Sequence, residues 1–572
     1  MKVLMSGNEA VARGAYEAGV NIASAYPGTP STEILENIST YREIYSTWST
    51  NEKTAFDFVS GASFTGARVL VAMKHVGLNV AADPFFSLSH IGATGGFIVV
   101  TCDDPGMHSS QNEQDNRHYA RAAKVPLLEP SSSQEAKDLV KIGIKISEEF
   151  DTPVLLRLTT RISHSKGVVT LGEREEHVPT GYEKEFSRRV LLPVNARKRH
   201  RFVEERLRRL KEFSEQFEYN RTERGNSDVA VVTSGVAYNY VKEVFPDAEV
   251  LRLSMSYPFP ANLVKQFLAG RERIYVVEEN DPFVEGYVRE LGFRVTGKER
   301  IPMDGELNSS RLAESLGFKE GTSAPSVDGI PSRPPVLCPG CPHTGVFYVI
   351  NKLKLIATGD IGCYTLGGLP PLDAMDTCVS MGSSIGNALG LEKALGPSIA
   401  HRLVAVLGDS TFFHTGIPSL VDVVYNRGMS TVIIVDNRTT AMTGHQDHPG
   451  TGRTLMGEPT SVVDLVKVCK GLGVKHTYVV DPHDLKETER LIKREVKREA
   501  PSVVIARREC ALLTRKKVSP FAVDAQRCTG CKLCLRLGCP ALTVVENKAR
   551  IDPLLCTGCG LCIQVCRQDA IA

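Results

Sequence analysis

Eight of the chain's 15 cysteines lie between Cys528 and Cys566. Cys528, Cys531 and Cys534 follow a C-x-x-C-x-x-C spacing, and the same triplet returns 28 residues later as Cys556, Cys559 and Cys562. Three thiolates crowded onto one short loop can wrap a corner of an iron–sulfur cube. Each triplet is followed by one further cysteine, Cys539 or Cys566. Zinc and disulfides are the competing uses, but zinc sites usually pair two C-x-x-C units and disulfides belong to oxidising compartments.

A second pattern is built on oxygen. "RLVAVLGDS" reads as an apolar strand ending in Gly408-Asp409-Ser410, and "STVIIVDNRTT" as another ending in Asp436-Asn437, with room between them for one crossover helix. Such a βαβ unit makes the strands parallel. Asp409 and Asn437 then emerge at the same carboxyl edge, where open α/β sheets bind ligands. A carboxylate, an amide oxygen and a backbone carbonyl, that of Thr439, are hard donors suited to Mg2+, which phosphate oxygens and water would complete. Gly408 lets a diphosphate approach the backbone closely. A strand-end Asp alone occurs in any α/β protein; its pairing with an Asn 28 residues later narrows the reading.

These side chains need several domains to hold them. The 572 residues, 42% hydrophobic and 23% charged, correspond to three to five domains at roughly 150 residues each. A net charge of +2 argues against bulk nucleic-acid binding or an anionic membrane surface. No signal-peptide core opens the chain and no apolar run reaches the about 18 residues of a membrane span, so a cytoplasmic protein is expected. Residues 1–190 alternate short apolar strands ("VNIASAYPG", "ARVLVAMKH", "GGFIVVTCDD", "TPVLLRLTT") with helical stretches, the pattern of a parallel-sheet domain. A charged stretch over 191–227 suits a helix with one buried stripe, Phe202, Leu207, Leu210, Phe213 and Phe217, its basic residues forming a solvated face. A smaller α/β unit follows over 228–300, a Pro/Ser/Gly linker over 301–335, a further α/β domain over 336–515 and the cysteine-rich module over 520–572. Cys102, Cys378 and Cys469 lack a partner pattern and read as buried small hydrophobes.

The tail resembles the bacterial two-cluster ferredoxins, in which the fourth cysteine of each run ligates the other cluster. The resemblance implies one [4Fe-4S] cluster on Cys528, Cys531, Cys534 and Cys566 and a second on Cys556, Cys559, Cys562 and Cys539. Two departures exist: four residues rather than three precede Cys539, and Arg567 rather than Pro follows Cys566. The Asp409/Asn437 pattern is similar to the G-D-G…N-N motif of thiamine diphosphate enzymes, with Ser410 and Asp436 departing from it. "AYPGTPSTEI" (25–34), "CPGCPHTG" (338–345) and "GDIGCYTLG" (359–367), followed by the ferredoxin-like tail, resemble the 2-oxoacid:ferredoxin oxidoreductases across essentially the whole chain, and within them the indolepyruvate-type large subunits.

That resemblance implies two thiamine-diphosphate-binding parallel-sheet domains, one for the pyrimidine ring (1–190) and one for the diphosphate and Mg2+ (336–515). It also implies a transketolase-C-terminal-like domain (228–300) and a 2[4Fe-4S] ferredoxin domain. Glu52 takes the place of the carboxylate that hydrogen-bonds the aminopyrimidine, Thr29 that of a substrate-contacting threonine, and His343 that of a cofactor-lining residue. Without the resemblance, Glu52 would be a surface residue, Thr29 a turn or cap and His343 a structural hydrogen-bonder. Cys338, Cys341, a cysteine in the next strand (Cys363) and Cys510 match the ligands of a third, proximal cluster. The implied reaction is CoA-dependent oxidative decarboxylation of a 2-oxoacid, of the arylpyruvate type, with electrons passing to ferredoxin. A small β subunit in an α2β2 assembly is the implied partner. Pyruvate, 2-oxoglutarate or branched-chain oxoacids are alternative substrates. A non-oxidative thiamine decarboxylase or synthase would have no use for the tail, and a pure electron-transfer subunit none for Glu52 and the magnesium site.

Overall fold

The computed structural model describes residues 1–318, 329, 334–514 and 519–572. The chain divides into two compact units, Met1–Asp328 and Gly329–Ala572.

The first unit is built on a seven-stranded sheet. Its order is Met255–Tyr257, Leu127–Leu128, Val154–Thr159, Phe97–Asp103, Val69–Lys74, Ile22–Ala25 and Tyr45–Trp48, all parallel except the first pair. Every residue of Val69–Lys74, Phe97–Asp103 and Val154–Thr159 is buried, as expected for a parallel sheet covered on both faces. Helices Glu52–Ser63 and Ala82–Ile91 cover one face, placing Phe56, Val59, Phe85 and Leu88 against Val69, Val71, Phe97 and Val99. Helix Ser133–Phe150 covers the other, close enough at Gly143 that a Cβ there would sit 2.7 Å from Ile98 Cδ1. Helix starts are spelled locally: Ser6 and Glu9 form a capping box, and Asn51 caps the Glu52 helix by accepting from Thr54 N.

A smaller sheet in this unit has the order Arg273–Val277, Val229–Ser234, Glu249–Leu253 and Arg221–Glu223, the last strand antiparallel. Its chain then crosses to the large sheet, where Met255–Tyr257 pairs with Leu127–Leu128. Buried Arg117 pairs with Asp115 and Glu278, and buried Arg157 with Asp103 and Glu129. The charged stretch is helical over Pro193–Glu215, with Val203, Leu207 and Leu210 buried. One expectation fails here: Arg206 is not on the solvated face but fully buried, donating to Asp151 O and Ser89 O. A long guanidinium with several N–H donors reaches both main-chain carbonyls at once, which lets this arginine lie inside the packing. The expected linker over 301–335 contains helix Ser309–Ser315, while residues 319–328 and 330–333 lie outside the described residues.

The second unit holds a six-stranded, fully parallel sheet in the order Thr377–Cys378, Ile356–Gly359, Leu403–Gly408, Thr431–Asp436, Ser502–Arg507 and His476–Val480. Helices His343–Leu353 and Leu485–Glu495 pack on one face and Ser383–Leu395, Ile417–Tyr425 and Leu465–Gly471 on the other. The tail adds a 3-10 turn (Leu533–Leu537), a hairpin (Leu542–Val545 with Lys548–Ile551) and helix Leu561–Val565. Its ends are tied by paired backbone hydrogen bonds between Ala522 and Ala572. The Gln564 side chain joins the module to the sheet domain, accepting from Leu485 N at 3.0 Å and donating to His483 O at 2.6 Å. Cys102 and Cys469 are buried, but Cys378 is exposed, because the two-residue strand that carries it lies at the sheet edge and is paired on one side only. Cys363 opens the 3-10 turn Cys363–Gly368 instead of lying in a strand, because strand Ile356–Gly359 has already ended.

Candidate active site and cluster sites

Parallel pairing of Leu403–Gly408 with Thr431–Asp436 brings Asp409 and Asn437 out at one edge of the second unit's sheet. Asp409 is buried; its Oδ1 accepts from Ser410 N at 3.0 Å, and its Oδ2 accepts from Arg438 N at 2.9 Å and meets His448 Nε2 at 3.1 Å. Burial works against this carboxylate, yet the His448 contact and the Ser410 N–H outweigh it and hold Asp409 below the usual carboxylate range. Asp436 goes the other way, pushed up by burial and by the Asp409 charge.

Asn437 Oδ1 stands 2.8 Å from Thr439 O and 3.2 Å from Asp409 Oδ1. Turning the amide over would convert both contacts into N–H donations. With oxygen in place, three acceptors converge at the spacing of adjacent ligands around Mg2+, about 2.9 Å for bonds of about 2.1 Å. The donor set therefore fits a hard divalent cation. Gly408 also has a packing reason: a Cβ there would sit 2.9 Å from Tyr364 Cε1, so the tyrosine ring favours the glycine. Tyr364 O–H bonds Asp360 and lies 3.1 Å from Thr411 Oγ1. Its ring meets His343 edge-on at 6.1 Å. Burial pulls His343 down to about 4, against the opposing charge of Asp409, so the imidazole is neutral at ordinary pH. Ser410 Oγ accepts from Thr440 Oγ1 at 3.0 Å.

In the first unit, Thr29, Glu52 and Lys74 follow or end three adjacent parallel strands at their carboxyl edge. Glu52 opens its helix just after the Asn51 cap, where the helix dipole favours a carboxylate, and is buried. Gly77 makes room for it, since a Cβ there would lie 2.7 Å from Glu52 Oε1. Thr29 is half-buried, its carbonyl accepting from Ser109 Oγ at 3.4 Å.

The cysteines gather in three groups. Cys528, Cys531, Cys534 and Cys566 line one cavity of about 350 Å³ of empty space, with Val523 and Ile571. Cys539, Cys556, Cys559 and Cys562 line a second of about 470 Å³, whose wall also includes Cys338, Gly340 and Thr344. Backbone N–H groups point at sulfur in both, Ala570 N to Cys566 Sγ at 3.3 Å and Gly558 N to Cys556 Sγ at 3.5 Å. Cys338, Cys341, Cys363 and Cys510 lie near one another: burial and then its neighbours Cys363, Cys338 and Cys510 push the Cys341 thiol up, and burial with Cys510 and Cys338 pushes Cys363 to about 11. Thiols so disfavoured as anions become thiolates beside a metal cation. Among the described residues no three cysteine sulfurs fall within 4.8 Å of one another, whereas ligands of one tetrahedral zinc would stand about 3.8 Å apart. The wider spacing suits a cube that separates its ligands.

The third group is tied to the oxygen site: Cys510 N donates to Asn437 O at 3.0 Å, and Cys510 Sγ lies 3.7 Å from His445 Nε2. Sequence reasoning did not single out His445, His448, Tyr364, Asp360 or Lys74. The only signal for the histidines was their place in the Gly-containing loop after Asn437.

Three family descriptions match consecutive parts of the chain. "Pyruvate flavodoxin/ferredoxin oxidoreductase, thiamine diP-bdg" covers 13–220, "Thiamine pyrophosphate enzyme, C-terminal TPP binding domain" 360–506, and "4Fe-4S dicluster domain" 521–567. Indolepyruvate oxidoreductase subunit IorA of Archaeoglobus fulgidus is 42% identical over 100% of this chain and 97% of its own length. This chain belongs to the IorA group of 2-oxoacid:ferredoxin oxidoreductases. The IorA subunit of Methanothermobacter thermautotrophicus is likewise 42% identical, over 100% of this chain and 97% of its own length. The 2-oxoglutarate synthase subunit KorA of Archaeoglobus fulgidus is 25% identical over 48% of this chain and 88% of its own length. As an oxoacid:ferredoxin oxidoreductase, the chain works with thiamine diphosphate and iron–sulfur clusters. Among the described residues, no helix is long and apolar enough to cross a membrane.

Proposed function

We propose that this chain is the large subunit of an enzyme that converts an arylpyruvate such as indolepyruvate, with CoA, to the acyl-CoA and CO2, passing two electrons to ferredoxin. The observation that carries this reading is the bond from Cys510 N to Asn437 O, which ties a cysteine quartet to the proposed metal site. The arylpyruvate and the small partner subunit are inferred from the names of the full-length relatives, which are subunits of indolepyruvate oxidoreductase.

When bound, thiamine diphosphate supplies the nucleophilic carbon and electron sink that a 2-oxoacid needs to lose CO2, and [4Fe-4S] clusters accept electrons singly at low potential. Asp409, Asn437 and the Thr439 carbonyl would hold Mg2+ and through it the diphosphate, with Gly408 and Ser410 beside them. His448 and Arg438 N hold the Asp409 carboxylate in orientation. Glu52 would accept a hydrogen bond at the aminopyrimidine and so hold a proton at the ring nitrogen. Neutral His343 lines the site without adding charge, and Thr29 would contact the substrate. Three [4Fe-4S] clusters are proposed: one on Cys338, Cys341, Cys363 and Cys510, and two on the tail quartets. The tail quartet of Cys539, Cys556, Cys559 and Cys562 shares its cavity wall with Cys338, which favours it as the neighbour of the third site.

The test is an anaerobic assay of the protein co-expressed with its small subunit. Ferredoxin or viologen reduction should require both CoA and a 2-oxoacid, with kcat/KM highest for aryl substrates over pyruvate, 2-oxoglutarate and branched-chain acids. Aldehyde release without reduction of the acceptor would overturn the oxidative reading, and a preference for a small aliphatic acid would overturn the substrate.

A further inference from the structure

Lys74 ends strand Val69–Lys74 and is buried, with 9% of its surface exposed. Its ammonium donates to Ser109 O at 2.6 Å, which uses one of its three protons. Asp104 is the opposing charge it feels, and that carboxylate is engaged by Ser109 N, Ser110 Oγ and Thr160 Oγ1 rather than by Lys74. Among the described residues Lys74 has no ion-pair partner, and burial pulls it down to about 8. Lysine is rarely placed in so dry a position without an anion to meet it.

Its surroundings indicate which anion. The Gly28-Thr29-Pro30 turn rests on the lysine stem, a Cβ at Gly28 lying 3.1 Å from Lys74 Cβ. Ser109, which accepts from Lys74 at its carbonyl, donates through its hydroxyl to Thr29 O. Lys74 and Thr29 therefore share one patch of the carboxyl edge of the sheet, where ligands of open α/β sheets bind. We propose that Lys74 receives the carboxylate of the 2-oxoacid substrate, which makes it a specificity-determining residue for acids over neutral carbonyl compounds. This rests on the reading of Thr29 as a substrate contact.

The role has a kinetic signature. The contact is made with the substrate carboxylate and persists until that group has left as CO2, so it favours bound substrate and transition state alike and contributes to substrate binding rather than to kcat. In the assembled, cofactor-loaded enzyme, Lys74→Met should raise KM for the preferred 2-oxoacid by about 10- to 100-fold, the range of a charge-assisted hydrogen bond, with kcat within about threefold of wild type. The Ki of the corresponding primary amide, which carries no charge, should not move, and Lys74→Arg should recover most of the affinity for the acid. An unchanged KM, or equal loss of affinity for acid and amide, would overturn the assignment and leave Lys74 as a support for the Ser109 loop.

If Lys74→Met lacks iron or cofactor, the wild-type enzyme supplies the same comparison between pH 7 and 9. The acid should then weaken against the amide as the ammonium deprotonates near 8. Asp104, held below its usual range, stays ionised there, and His75, pulled down by burial, stays neutral, so neither produces the change. A flat acid-to-amide ratio over that range would reject Lys74. A wild-type enzyme that holds thiamine diphosphate but oxidises no 2-oxoacid would instead reject the functional reading.

Discussion

The tail quartets and the third cysteine group are assembled by opposite means. Each tail triplet lies within seven consecutive residues, so the chain's own reach holds three sulfurs around one cavity, and only Cys539 or Cys566 must be delivered from farther away. The third group draws Cys338 and Cys341 from before helix His343–Leu353, Cys363 from the 3-10 turn beyond strand Ile356–Gly359 and Cys510 from beyond strand Ser502–Arg507. No local spacing defines it. A site of the first kind survives damage elsewhere, whereas one of the second kind depends on every loop that carries a ligand.

The largest expected effect tests that dependence. Asp409→Ala should abolish Mg2+-dependent thiamine diphosphate binding and all oxoacid turnover, measured by cofactor content after gel filtration. The tail clusters should be retained in their electron paramagnetic resonance signals. Loss of the tail signals as well would mean that the two kinds of site are not independent.

Cys510→Ala attacks the dispersed quartet directly. Wild-type protein should hold about twelve irons per chain, four for each quartet, and the variant about eight, both tail clusters included. Ferredoxin reduction should fall below detection, while release of CO2 in a single turnover continues because Asp409, Asn437 and Glu52 are untouched. Eight irons in the wild type, or full ferredoxin reduction by the variant, would remove the third site.

Glu52→Gln should leave all irons and the bound cofactor in place, because Glu52 lies in the other unit. An amide cannot play the carboxylate's part at the ring nitrogen, so exchange of the reactive cofactor proton should slow by about 10²- to 10⁴-fold. Exchange at the wild-type rate would exclude Glu52.

The smallest effect concerns the joint between the two kinds of site. Gln564→Ala removes the bonds to Leu485 N and His483 O and should cost about 1–2 kcal/mol, read as an earlier denaturant midpoint for the tail. Cluster content at rest should be normal. A cost near zero would mean that the apolar contacts of Leu485 with the tail core carry the joint alone.

Wherever the chemistry is local, the amino-acid sequence determined the outcome. Short apolar runs alternating with helical stretches announced the parallel strands, and "VLGDS" and "VIIVDN" placed Asp409 and Asn437 at one edge, because a βαβ crossover leaves no other choice. The tail triplets needed no tertiary information, since their cysteines are neighbours in the chain. Tertiary structure alone decided what depends on remote contacts: that Tyr364 favours Gly408, that Gly77 makes room for Glu52, that Arg206 is buried and Cys378 is not. It also decided that His445 faces Cys510 Sγ and that Lys74 lies beside Thr29. A lysine at a strand end looks the same in sequence whether water or packed chain surrounds it. Burial and the lack of an ion-pair partner are properties of the folded neighbourhood, and they separate a solvated lysine from one held ready for an anion.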